Sequence, residues 1–241
     1  MKEILTDFFS FLRSNSNLVE HASVSVRYKC LIIGKAFIAL LIFKISWAFF
    51  GLQLLKLGIV SQAKGSDGLN SWLSEVSEAR FILQVVLLAP LFEELAFRGI
   101  LQRKKYLFIV SVFILIYLLV SKSFSLNFYT FSGPTIYVLT GSLIIALILH
   151  NWSYLFNKIT LWVDSTRRLL IWLSAIGFAF WHYHNYDFDQ VPFYTVVLVL
   201  FPHFMTGLLV TWLSLRYGFF WGLLLHMINN AIPAFYTLLI N

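Results

Sequence analysis

The sequence is poor in charge. Only 12% of its 241 residues are Asp, Glu, Lys or Arg, while 59% are hydrophobic and 18% aromatic. Mean hydropathy is +0.80. A water-soluble domain of this length needs far more polar surface, so a soluble enzyme or binding module is excluded. Cysteine is nearly absent, and the single one, Cys30, excludes an internal disulfide and a cysteine-rich metal site. No internal repeat, low-complexity segment or HExxH helix occurs. No N-terminal signal peptide is expected, because "MKEILTDFFSFLRSNSNLVEHASVSVRYK" opens with an amphipathic, charged segment and the first long apolar run starts near Cys30. Acidic residues are the scarcer sign, 11 against 18 basic, for a net charge of +7. Nucleic acid is not the implied partner, because the basic residues cluster in short loops between apolar runs, which is a topology signal.

What is present is a succession of apolar runs. A spanning helix needs roughly 20 such residues. Candidates lie at about 30–60, carrying Lys35 and Lys44, then 81–101, 106–121, 134–157, 168–185, 193–215 and 217–240. Lipid offers no partner to an open strand, so the fold predicted is an all-α, multi-pass membrane bundle of about seven helices, within a range of six to eight. Residues 61–78 form the main polar loop, with an interfacial helix expected there. Residues 1–29 are read as an amphipathic cytoplasmic segment and 30–241 as one transmembrane domain. Arg13, Arg27, Lys29, the "RKK" at 103–105, Lys158, Arg167, Arg168 and Arg216 all fall on one side of a seven-span bundle with a cytoplasmic N-terminus. Lys122 is the exception. The setting expected is a bacterial inner membrane.

Within the second span, "APLFEELAFRGI" at 89–100 places three charges among apolar residues. A charge at mid-membrane costs at least about 2.5–3.5 kcal/mol. Glu94 and Arg98 are spaced i,i+4 and share a helix face, so they predict a buried ion pair. Glu93 points about 100° away and has no such neighbour on its own helix. It needs a partner from another helix, a proton, or a function. His182 in "FAFWH", with Phe178 one turn before it, and His226 and Asn230 in "HMINN" supply candidates. Counting about 1.5 Å per residue from the basic ends puts Glu93 and His226 roughly 15 Å deep, and His182 and Asn230 roughly 21 Å deep. All four therefore fall near the midplane, where one cavity is expected to gather them.

"EELAFR" fits EExxxR, "FAFWH" fits FxxxH and "HMINN" fits HxxxN, in that order and in a polytopic chain. The chain resembles the CAAX-processing and bacteriocin-processing (CPBP, Abi) family of intramembrane proteases over about 75–240, including the closing segment 205–232. The resemblance implies an intramembrane endopeptidase acting on a CAAX-type or other membrane-associated peptide, prenylated or not. Peptide hydrolysis needs an activated water and a stabilised oxyanion. The implied roles are Glu93 as base with His182 orienting the water, His226 and Asn230 at the oxyanion, and Glu94 with Arg98 as a supporting pair. The metal-free form is favoured. Zinc held by Glu93, His182 and His226 is the competing chemistry.

The other polar residues read more plainly. Tyr183, His184 and Asn185, like His150, Asn151 and Trp152, suit the membrane interface. His203 suits packing and Asn229 an interhelical hydrogen bond. Two other functions share these features: a non-catalytic scaffold or bacteriocin self-immunity protein, and a proton-coupled transporter, which also places Glu and His in the membrane. The absence of an inverted repeat weighs against the transporter.

Overall fold

A computed structural model describes residues 2–13, 24–61, 64–65, 73–102, 104–127, 129 and 132–240. Nine α-helices carry the fold among them: α1 (Lys2–Arg13), α2 (Val26–Lys56), α3 (Glu78–Ile82), α4 (Ala89–Arg98), α5 (Lys105–Ser123), α6 (Gly133–Asn151), α7 (Ser153–Trp181), α8 (Phe193–Arg216) and α9 (Phe219–Ile240). A π-helical segment, Leu83–Leu88, joins α3 to α4, so that 78–98 is one continuous rod. Two short strands, β1 (Lys64–Gly65) and β2 (Tyr186–Asp187), pair antiparallel, Lys64 opposite Asp187.

This is an all-α membrane bundle. Helices α2, α5, α6, α8 and α9 are each long and apolar enough to cross a membrane. The remaining two predicted spans coincide with the α3–α4 rod and with α7, both interrupted by charge. The lipid-facing side of α2 shows the logic. Ile38, Ile42, Ile45 and Phe49 recur at helical spacing and are all at least half exposed, an arrangement that water would penalise and hydrocarbon does not. The core is centred on α7, α8 and α9, with Ile171, Ala175, Leu208, Trp212, Leu213 and Leu225 buried together. Helices α8 and α9 approach closely at Gly222, where an added Cβ would collide with the Ser214 hydroxyl and lie 2.7 Å from the Val210 carbonyl.

Two predicted boundaries need correction. The fourth span ends at Asn151, not 157, and the fifth helix begins at Ser153 and runs unbroken to Trp181. The polar run 158–168 looks like a loop by hydropathy but is helical. Arg167 is buried with Nη2 donating to the Leu101 carbonyl (3.1 Å), and Lys158 lies over the Tyr154 ring at 4.8 Å. Long basic side chains snorkel without breaking a helix. His182 consequently opens a 3₁₀ turn, His182–Asn185, rather than sitting within a helix. Most of the expected interfacial helix lies outside the described residues, as does Arg103; residues 73–75 are helical.

Candidate active site

Pro90 sets the local geometry. It has no N–H and its ring crowds the carbonyl four residues back. The chain answers with the wider π turn: Ala89 N–H bonds Gln84 O, five residues back. Val85 O is then passed over, since Ala89 donates elsewhere and Pro90 cannot donate. The Asn230 side chain fills that need, Nδ2 donating to Val85 O at 3.3 Å. A backbone irregularity and a polar side chain on α9 are thereby matched.

Beyond Pro90, α4 resumes and places Glu93 and Glu94 on different faces. Glu94 and Arg98 are both 0% exposed and form the predicted ion pair, Nη1 to Oε1, at 3.0 Å. Arg98 is held at three further points. Nε donates to Thr211 Oγ1 (3.2 Å), Nη2 donates to Gly207 O (3.1 Å), and the guanidinium lies 4.3 Å from the Phe178 ring centroid. Gly207 makes this approach feasible: a Cβ there would stand 3.2 Å from Arg98 Nη2, Phe178 Cδ1 and the Ala175 backbone.

His226, 1% exposed, stands between the two glutamates. Its Nδ1–H donates to Glu94 Oε1 at 2.8 Å, and its Nε2 faces Glu93 Oε2 at 3.6 Å. The Phe178 ring packs edge-on against it. Glu93 Oε2 is buried and has no hydrogen-bond partner. The same carboxylate is within hydrogen-bonding reach of the Trp181 side chain and electrostatic reach of Lys122 and Tyr129. Lys122, the exception to the charge rule, donates to Trp181 O at 3.0 Å and covers the Trp181 ring at 3.8 Å. Tyr129, in the α5–α6 connection, stacks on Phe92. Burial and the neighbouring Glu93 charge push its phenol above the ordinary range, so it stays protonated.

His182 packs on the same Phe178 ring, with 4.6 Å between ring centroids. Its Nδ1–H donates to Phe178 O at 2.8 Å, which leaves Nε2 as an acceptor. It also stacks on His203, centroids 4.2 Å apart. His203 Nε2 and Tyr186 OH share a hydrogen bond at 2.9 Å, and burial raises the Tyr186 phenol, which keeps it protonated. On α9, Asn229 Nδ2 donates to Asn230 Oδ1 (3.4 Å), and Lys44 Nζ of α2 donates to Asn229 Oδ1 (2.6 Å).

The structure thus joins Glu93, Glu94, Arg98 and His226 in one buried cluster. His182 packs on the Phe178 ring that also packs on His226, and Asn230 reaches the π segment before α4 through Val85 O. The imidazole against Glu93 is that of His226, whereas the motif roles pair Glu93 with His182. Among the described residues, no three His, Cys, Asp or Glu side chains converge as a metal-binding group. Sequence reasoning assigned no role to Lys44, Lys122, Tyr129 or Tyr186. The one signal available for Lys44 was a lysine in the middle of an apolar helix. His203, read as packing, stacks on a motif histidine.

A family model described as type II CAAX prenyl endopeptidase Rce1-like matches residues 75–232. No curated protein and no solved structure matches the chain.

Proposed function

The chain belongs to the Rce1-like type II CAAX prenyl endopeptidase family, and from that premise we propose that it hydrolyses the peptide bond following a prenylated cysteine in a CAAX-type substrate, using water activated by Glu93. At the family level it is an integral membrane protease. The observation that carries the finer reading is Glu93 Oε2: buried, without a hydrogen-bond partner, and facing an imidazole whose other nitrogen is fixed by an ion-paired carboxylate. A carboxylate oxygen in that position accepts a proton from a water as the water oxygen adds to the scissile carbonyl carbon. His226, in the doubly protonated form that two flanking carboxylates favour, donates from Nε2 to the developing oxyanion, and Asn230 offers the amide N–H that Val85 does not use. His182, with Nδ1–H engaged, presents Nε2 to orient the water. Collapse of the tetrahedral adduct breaks the C–N bond and returns the proton to the leaving amine. Glu94 and Arg98 hold the position of His226. This scheme needs no metal.

The proposed orientation is N-terminus cytoplasmic, in a bacterial inner membrane. Asp7 of α1 binds Trp212 Nε1 and Arg216 Nη2, each at 2.8 Å, which supports a shared side for the N-terminus and the basic end of α8.

The test is cleavage of a farnesylated CAAX peptide by the full chain in lipid vesicles. Glu93→Gln keeps the shape but cannot act as a base, so turnover should fall at least roughly 10²–10⁴-fold with folded yield retained. Full turnover in a folded Glu93→Gln protein would overturn the assignment of Glu93 as the base, whereas a native protein that cleaves no such peptide would favour a scaffold or immunity role. Elemental analysis of the active preparation should find no stoichiometric metal. One zinc per chain that tracks activity would replace the metal-free scheme.

A further inference from the structure

Lys44 is an intramembrane cation that the proposed hydrolysis does not use. It lies 18 residues into the 31-residue α2, roughly 27 Å from one end and 18 Å from the other. Its hydrogen bond among the described residues goes to a neutral acceptor, Asn229 Oδ1. No ion pair among the described residues includes it. Asn229 in turn donates to Asn230 Oδ1 at 3.4 Å, which places the half-buried Lys44 at the edge of the site rather than on the lipid face. Trp47, one turn along α2, donates to Leu198 O at 2.8 Å and stacks near Phe201, so the lysine-bearing stretch is pinned against α8. Placing an ammonium in hydrocarbon with only an amide for company is costly, and such residues as a rule mark a substrate or ion path.

Resting on the family-level substrate, we propose that Lys44, positioned by Asn229, binds the free C-terminal carboxylate of the substrate. A CAAX sequence ends three residues after the prenylated cysteine. The leaving tripeptide therefore carries an α-carboxylate, and an extended tripeptide spans about 10 Å. That anion must also enter the membrane, where it needs a counter-charge. Asn229 lies three residues beyond His226 on α9, about 4.5 Å further along the axis, and it holds the ammonium there through Oδ1. Lys44 is a specificity residue in this scheme: it measures the distance from scissile bond to chain end, and it favours the last three residues of a chain over an internal site.

The test uses two farnesylated peptides of one sequence, one ending in a free carboxylate and one in a carboxamide, with the full chain in vesicles. The native protein should cleave the acid with kcat/KM at least about tenfold above that of the amide. Lys44→Met should bring the ratio to about one, and Lys44→Arg should restore most of it. The native acid-to-amide ratio needs no variant, so misfolding of Lys44→Met leaves the test intact. Equal cleavage of both peptides by the native protein overturns the proposal while leaving the protease reading in place, and so does an unchanged ratio in folded Lys44→Met. Binding of the same peptides to Glu93→Gln protein separates the two ideas. A Lys44-dependent preference for the acid in that binding, with the native protein cleaving neither peptide, would sustain the carboxylate site and overturn the hydrolytic reading.

Discussion

At the residue scale, the site depends on giving two adjacent carboxylates different surroundings. Glu94 receives Arg98 and the Nδ1–H of His226, while Glu93 keeps one oxygen unengaged. The Glu94–Arg98 pair was legible in the sequence because i,i+4 spacing leaves little choice on a helix. The His226–Glu94 bond was not, since it joins residues 132 positions apart and depends on how α9 rotates against α4. Arg98 is the keystone of this arrangement. Arg98→Ala leaves Glu94 buried without its counter-charge and should cost roughly 3–5 kcal/mol, seen as a lowered Tm in detergent together with lost activity. Arg98→Lys should restore little, because one ammonium cannot reach Glu94, Thr211 and Gly207 at once. An unchanged Tm in Arg98→Ala would show that the pair is not structural.

At the scale of elements, the π segment before α4 fixes which way Glu93 faces. Each residue of helix turns about 100°, so removing the extra residue of the π turn would rotate Glu93 relative to His226 or force α3 to rotate instead. Pro90→Ala restores an N–H and relieves the crowding that favours the wide turn. It should leave Tm unchanged or higher and still lower turnover, measured with the same vesicle assay. Full activity in Pro90→Ala would show that the π turn does not depend on the proline. None of this was visible in hydropathy, which counts residues without their hydrogen-bond register. The misplaced boundary between α6 and α7 has a related cause, since a polar run is equally consistent with a loop or with the solvated face of a long helix. The apolar helices were legible because lipid imposes length and composition on them.

At the scale of the whole molecule, the bundle was predictable, and the π segment before α4 and the full length of α7 were not. Five helices are apolar enough to span, while the charged rod and α7 are the ones that carry Glu93, Glu94, Arg98 and the lead-in to His182. The candidate site thus combines the elements that fit a membrane least well with His226 and Asn230 of the apolar α9. Orientation can be read with the chain as it is. Cys30 is the single cysteine, exposed, next to Lys29 at the start of α2. A membrane-impermeant maleimide should label it in inside-out vesicles and not in intact cells. Labelling of intact cells would reverse the proposed topology.

The most direct measurement is the chemistry of one cleavage. The native protein in vesicles is given a farnesylated CAAX peptide in ¹⁸O-water, and both products are weighed. The account predicts a single break after the prenylated cysteine, one ¹⁸O in the new cysteine carboxyl, an unlabelled tripeptide, and neither product from Glu93→Gln. Cleavage at another bond, or equal product from the Glu93→Gln protein, would contradict it.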